Sequence, residues 1–415
     1  MRLLMNDVVQ TPIDQLIPYE KNAKLHPKKQ VAQIAASIKE FGFNQPIVVD
    51  KDNKVIVGHG RLAAARLLGL ETVPVVTVNL TDEQAKSYRL ADNKLNESDW
   101  DMNLVIEELK SLSGPMVELT GFDTDLIIEP DEKDDEIPSI PEEPQSKLGD
   151  LYILGNHRVL CGDSTNLSDV EILMNENKAD IVFTDPPYNV AYIGKTKDKL
   201  TIQNDAKTPE SFRSFCEAFI KNYLTFCKGA MYVCMSSSEW GTVQSEFIKL
   251  GGHWSRVIIW VKDRMVLSRA DYHTQFERIA VVNEDENEEG IPILYGWPDG
   301  SRRIWKGGRK QTDIWRVKRP SANKEHPTMK PVELCLRGIT NSSEKGNIVL
   351  DLFLGSGSTL IASHKGERIC YGMELDPRYV DVIVQRYVDY TGNTNIIKNG
   401  KNIVWQSTKK ENTQN

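Results

Sequence analysis

The run Ile348-Val349-Leu350-Asp351-Leu352 is short, apolar and β-forming, and it stops in Phe353-Leu354-Gly355-Ser356-Gly357-Ser358-Thr359 before a helix-forming run, Leu360-Ile361-Ala362-Ser363. A buried strand that breaks into a glycine-rich turn and restarts as a helix is a nucleotide-binding unit of an α/β sheet. The glycines let the backbone approach a ligand, and the first helical turn leaves amide donors free. The next β-forming run, Arg368 to Met373, ends in Glu374, about twenty residues on, where an acid reaches ribose hydroxyls. That spacing also admits a nicotinamide or flavin enzyme, but the third glycine of the dinucleotide fingerprint is missing.

A second strand end carries reactive groups. Asp180-Ile181-Val182-Phe183 runs into Thr184-Asp185-Pro186-Pro187-Tyr188-Asn189. Proline lacks a ladder donor and fixes φ, so the double proline ends the strand in a rigid loop at the carboxyl edge, where open α/β sheets bind ligands. An ordinary turn is the plain alternative. The loop also suits a flat, amino-bearing heterocycle. Tyr188 can stack on its face, while Asp185 and the carbonyl of Pro186 accept both hydrogens of an exocyclic amine.

Together the two stretches resemble the amino-methylating DNA methyltransferases. The resemblance implies a Rossmann-like α/β fold, S-adenosylmethionine as methyl donor, and transfer to adenine N6 or cytosine N4. It makes Asp185, Pro186, Pro187 and Tyr188 the catalytic loop, and Asp351, Phe353, Gly355, Ser356, Gly357, Ser358, Thr359 and Glu374 the donor pocket. Asp163 falls where the family places an acid beside the donor's adenine, although it could instead cap the helix starting near Ser168. His326-Pro327-Thr328-Met329-Lys330-Pro331 resembles an element whose lysine, here Lys330, faces the donor's carboxylate end. The catalytic loop precedes the donor pocket by about 170 residues, the circularly permuted order of the beta class. Aspartate at the loop's first position resembles the adenine enzymes; cytosine enzymes more often carry serine. A regulatory DNA-binding protein with an inactive methylase half, and methylation of RNA or a small amine, are the rival readings.

The net charge of −8 conceals a polarity. From Glu129 to Lys147 eight acids face two bases, whereas Ser301 to Lys330 holds ten bases and two acids. With Trp297 just ahead of it, this stretch mixes Trp305 and Trp315 with Arg302, Arg303, Lys306, Arg309, Lys310, Arg316, Lys318 and Arg319, a composition suited to DNA phosphates and bases. It corresponds to the family's target-recognition region, about 262–325. Six cysteines show no Cys-x-x-Cys spacing and read as reduced core residues, so no metal site is expected. No apolar run reaches membrane-spanning length and no signal peptide is evident, which predicts a cytoplasmic enzyme.

Residues 1–127 follow a different pattern. A helix from Pro27 to Phe41, β runs Pro46 to Val49 and Lys54 to Val57, a turn Gly58-His59-Gly60-Arg61 opening a helix, a strand Val73 to Val78 and a capping box Thr81-x-x-Gln84 are legible in order. The order and the glycine turn resemble the α+β ParB/sulfiredoxin-like domain, which implies that Gly58, His59, Gly60 and Arg61 meet phosphates of a nucleotide or of DNA. The partition proteins commonly carry glutamate where His59 stands, so nucleotide hydrolysis is not expected. Residues 128–147, acidic and with prolines at 130, 138, 141 and 144, read as an unfolded linker, residues 148–400 as the methyltransferase domain, and residues 401–415 as a polar tail. The amphipathic run from Phe212 to Phe226 reads as core, and strands are expected at Ala230 to Met235, Arg256 to Val261 and Arg278 to Asn283. Double-stranded DNA is the expected partner, a homodimer a possible assembly, and a restriction-modification setting the expected context.

Overall fold

The β and helical runs assort into two compact units, Met1–Ile128 and Glu129–Asn415, in a computed structural model that describes residues 7–95, 100–122, 124–189, 207–236, 238–262, 289–307, 312–318 and 329–406.

In the first unit the strands are β1 (Val8–Pro12), β2 (Ile47–Val49), β3 (Val55–Val57) and β4 (Thr72–Thr77), and the helices α1 (Lys28–Phe41), α2 (His59–Leu67), α3 (Asp82–Leu95), α4 (Met102–Ser111) and α5 (Gly114–Thr120). The sheet order is β1-β4-β2-β3, with only β2 and β4 parallel. Ile47, Val49, Val55, Val73 and Val75 bury one sheet face against Leu62 and Ala65 of α2. The expected capping box closes α3: the Thr81 amide donates to Gln84 Oε1 at 2.9 Å, and the Gln84 amide to Thr81 Oγ1 at 3.3 Å.

The second unit holds β5 (Leu151–Leu154), β6 (His157–Cys161), β7 (Ala179–Thr184), β8 (Cys227–Cys234), β9 (Gly252–Lys262), β10 (Glu289–Pro298), β11 (Ile314–Arg316), β12 (Ile348–Asp351), β13 (Ile369–Glu374), β14 (Asn395–Lys398) and β15 (Lys401–Val404). Its helices are α6 (Leu167–Met174), α7 (Pro209–Phe226), α8 (Trp240–Lys249), α9 (Val332–Ser342), α10 (Ser358–Lys365) and α11 (Pro377–Thr391). One sheet runs β11-β9-β10-β8-β7-β12-β13-β6-β5-β14-β15, and its middle, β8-β7-β12-β13-β6, is parallel throughout. Strands β12 and β13, late in the chain, sit between the earlier β7 and β6. The aromatic run of α7 is core as expected: Phe212, Phe215, Phe219 and Tyr223 are buried against Met231, Leu350 and Leu352.

Three expectations need correction. The acidic segment is not an unfolded linker. Residues Glu132–Asp135 form a 3₁₀ turn with a reciprocal Asp131/Asp134 cap, and Asp134 is 2% exposed. Its carboxylate takes the ammonium of Lys365 at 2.6 Å and the phenol of Tyr390 at 3.0 Å, while Arg386 donates to its carbonyl at 2.7 Å. At the other end, the Ser146 amide donates to Asp381 at 3.0 Å. Ion pairing, not apolar area, anchors this segment. Second, residues 401–404 are a strand rather than tail, paired antiparallel with β14. Third, the region about 262–325 contains β10 and β11, both unforeseen. The strand expected at Arg278 to Asn283 lies outside the described residues.

Candidate active site

The catalytic loop and the donor turn leave neighbouring strands at the same edge. Strands β7 and β12 are parallel, with Val349 opposite Ile181 and Leu350 opposite Val182, so Thr184 and Asp351 end side by side. The Thr184 hydroxyl donates to Asp351 Oδ1 at 2.7 Å and accepts from the Tyr223 phenol at 2.7 Å, and that phenol also accepts the Leu352 amide at 2.7 Å. All four residues are buried. The polar chain ties both strand ends to the core helix α7, so the two loops share one rigid base.

Beyond Thr184, Pro186 is buried while Asp185, Pro187 and Tyr188 are half-buried. Both carboxylate oxygens of Asp185 are engaged. Oδ2 accepts from Lys330 Nζ at 2.5 Å and Oδ1 from the Tyr188 phenol at 2.7 Å, with Nζ 5.1 Å from the Tyr188 ring centroid. Burial, reinforced by the adjoining Asp185 charge, pushes the Tyr188 phenol well above its ordinary range. The far end is pinned by Asn189, which has φ +57°, donates to Glu239 at 2.9 Å and accepts the Lys207 amide at 2.7 Å.

In the donor turn Gly355 and Gly357 have φ of +54° and +90°, conformations that L side chains rarely adopt. A Cβ on Gly355 would meet nothing within 4 Å, so open space adjoins the turn. From below, the turn is held by Glu374: Oε2 accepts the Gly355 amide at 2.9 Å and Oε1 the Asp376 amide at 2.9 Å. Burial pushes the Glu374 carboxyl up to about 7. Asp351, expected as a donor contact, is 2% exposed and serves as a strut, its Oδ1 also taking the Phe353 amide at 3.0 Å; burial pushes it up to about 6. The Phe353 ring packs edge-on against Phe215 and Phe219. Ser358 and Thr359 are buried in the first turn of α10, and the Ser356 carbonyl accepts from Arg386 at 2.8 Å.

Asp163 follows β6, whose Cys161 lies opposite Glu374 in register. Its Oδ1 accepts from the Thr165 amide and hydroxyl, and Asn166 rather than Asp163 caps α6. Asp163, Glu374, the glycine turn and Asp185 thus stand in a row along the ends of β6, β13, β12 and β7. Lys330, 8% exposed, reaches the row from just before α9, whose first amide, that of Val332, donates to Asp135 at 2.9 Å. Sequence reasoning missed Thr184, Tyr223, Arg386 and Asp135. A hydroxyl on a strand, a tyrosine in an aromatic stripe and an acid in a low-complexity stretch give no local signal of what they support.

Among the described residues, the basic side chains do not form one patch. The Asp299 amide donates to Gly251, at the start of β9, and that of Lys306 to Asn341, at the end of α9 farthest from Lys330. Arg302, Arg303 and Lys306 accordingly follow the amino-terminal edge of the parallel strands, with Arg303 stacked 4.1 Å over Trp297 and bonded to the Tyr295 hydroxyl at 3.1 Å. Arg316, by contrast, is opposite Val261 in a strand parallel to β9, so Arg316 and Lys318 emerge toward the catalytic edge. Arg309, Lys310 and Arg319 lie outside the described residues, as do His326, Pro327 and Thr328. All six cysteines are free and buried, and no cluster that could hold a metal occurs among the described residues.

In the amino-terminal unit, Gly58 caps α2 with φ +100°. His59 is not a cation: burial, aided by nearby Arg89, lowers its pKa to about 4, and Nε2 accepts the Tyr19 amide at 3.3 Å. Gly60 is buried, and a Cβ there would lie 3.1 Å from the His26 ring. Arg61 donates to Gln45 at 2.7 Å.

Comparison with known proteins agrees with this division. A DNA methylase family model matches residues 179–385, from β7 into α11, and a ParB N-terminal domain model matches residues 2–94. The ParB-like nuclease domain-containing protein YnaK of Escherichia coli is 45% identical over 78 residues, 19% of this chain and 90% of that protein. The DNA adenine methyltransferase YhdJ of Escherichia coli is 29% identical over 249 residues, 55% of this chain and 81% of its own. Among solved structures, the M1.HpyAVI–SAM complex is 20% identical with a TM-score of 0.41, covering 55% of this chain and 97% of that one. The chain thus joins a ParB N-terminal domain, residues 2–94, to an N6/N4 DNA methylase domain, residues 179–385.

Proposed function

We propose that this methylase transfers a methyl group from S-adenosylmethionine to adenine N6 in double-stranded DNA. The observation that carries the reading is the adjacency of the Asp185 loop and the Gly355 turn on β7 and β12, joined by the Thr184–Asp351 hydrogen bond. The residues fit the donor: open space beside Gly355, a half-buried carboxylate at Glu374 for a ribose diol, and Asp163 one strand beyond for the adenine. When bound, the donor supplies an electrophilic methyl group on a sulfonium.

The protein's own groups then act on the acceptor. The amine lone pair of adenine is delocalised into its ring, so the nitrogen is a weak nucleophile. Asp185 and the carbonyl of Pro186 accept its two hydrogens, draw it towards tetrahedral geometry and stabilise the positive charge of the transition state. Tyr188 stacks on the base, which must be flipped from the duplex to reach the loop. Arg316 and Lys318, towards the catalytic edge, serve phosphate contacts. In the ParB domain, the amides at the start of α2 offer a site for a nucleotide or DNA phosphate, with neutral His59 as scaffold.

Label transfer from tritiated donor to mixed genomic DNA, followed by nucleoside mass spectrometry, tests this. The product is expected to be N6-methyladenine, and Asp185→Ala is expected to lower the rate by about a thousandfold. Label in N4-methylcytosine overturns the choice of base; transfer surviving Asp185→Ala overturns the catalytic assignment.

A further inference from the structure

The two donors on Asp185 occupy the oxygens that the proposed chemistry needs. Lys330 holds Oδ2 at 2.5 Å and Tyr188 holds Oδ1 at 2.7 Å, so an exocyclic amine reaches only the second lone pair of either oxygen, on a carboxylate whose charge the ammonium already draws on. Asp185 becomes the stronger acceptor when one of the two donors leaves. The Tyr188 phenol is neutral and part of the ring that stacks on the base, so it can stay. Lys330 is charged, with its side chain 8% exposed, and a buried ammonium does not abandon its carboxylate unless another anion receives it.

The row of groups along the sheet edge identifies that anion. Resting on the donor reading above, the adenosine end belongs to Asp163 and Glu374 and the reacting sulfonium belongs beside Asp185. What remains of the donor is its amino-acid end, and its carboxylate is the part complementary to Lys330. We infer that Lys330 is an exchangeable plug: it caps Asp185 in the free enzyme and moves to the donor's α-carboxylate on binding, so that donor binding uncaps the base-binding site. The two sites are then coupled through one ammonium. Lys330 is in this sense a positioning residue for Asp185 as well as a donor ligand.

The coupling is measurable without knowing the DNA sequence recognised. Titration calorimetry on the full chain uses S-adenosylhomocysteine, which carries the α-carboxylate, and 5′-methylthioadenosine, which lacks it. With Asp185→Asn and Asp185→Ser, Lys330 no longer has to be pulled from a carboxylate. Both variants are expected to bind S-adenosylhomocysteine about fivefold more tightly or better, with methylthioadenosine unchanged as a check on the pocket's integrity. In a Lys330→Gln background the same changes at Asp185 are expected to have no effect. Unchanged affinity for S-adenosylhomocysteine, an equal shift for both ligands, or persistence of the effect without Lys330 overturns the exchange while leaving the donor site standing. Failure of the wild-type chain to bind either nucleoside removes the donor site itself, and the plug with it.

Discussion

The molecule uses one backbone device twice, and the two uses differ in what holds them. Gly58 before α2 and Gly357 before α10 both take a left-handed φ between a strand and a helix. Under the second turn lies a carboxylate, Glu374, with open space beside Gly355. Around the first turn lies an uncharged imidazole, His59, and its second glycine is packed against His26 and Ile34. A glycine turn at a helix start therefore announces a place where a ligand's backbone contacts are possible; the groups beneath it decide which ligand. An acid accepts hydroxyls, whereas a neutral histidine fixes the loop and leaves anion binding to amides alone.

Substitution of the glycines gives the largest separation. Gly357→Ala puts a side chain at φ +90° with Ile383 at 3.4 Å, and is expected to weaken S-adenosylhomocysteine binding about tenfold or more by calorimetry. Gly58→Ala is expected to cost about 1–3 kcal/mol of stability in urea unfolding without changing that affinity. If Gly58→Ala weakens nucleoside binding equally, the division of labour between the turns is wrong.

A smaller effect comes from Glu374. Its carboxyl, pushed up to about 7, is protonated below that pH and is then the poorer hydroxyl acceptor. Affinity for S-adenosylhomocysteine is expected to rise several-fold from pH 6 to pH 8 in the wild type and to stay flat and low in Glu374→Gln. The smallest effect belongs to His59. Its folded pKa, about 4, lies below the unfolded 6.5, so the unfolded chain takes up the proton first and stability is lost as pH falls from 6.5 towards 4. Half exposure limits this to about 1 kcal/mol between pH 7 and pH 5, read as the difference between wild type and His59→Gln in urea titrations.

How much could be read beforehand follows from the range of the forces involved. The strand, turn and helix of the donor pocket, the double-proline loop and the aromatic core of α7 are local patterns, and each has its expected form. The Thr184–Asp351 bond links residues 167 positions apart, and no periodicity announces it. Acidic composition argued against order in residues 128–147, because composition counts apolar area and is blind to Lys365, Tyr390 and Arg386 waiting in another part of the chain. The basic stretch read as one surface because sequence proximity hides register: β11 runs towards the catalytic edge, while Arg302 to Lys306 follow the opposite one.

The anchoring of Asp134 changes where the protein should be cut. A catalytic fragment begun at Leu148, where the composition turns ordinary, leaves Lys365 and Arg386 without the acid and carbonyl that engage them, and strips from Val332 the carboxylate of Asp135. A fragment begun at Glu129 retains all three. The stretch that looks most dispensable to a cloning scheme is a brace of the enzyme, and a weak truncated preparation would report a misplaced boundary rather than a feeble catalyst.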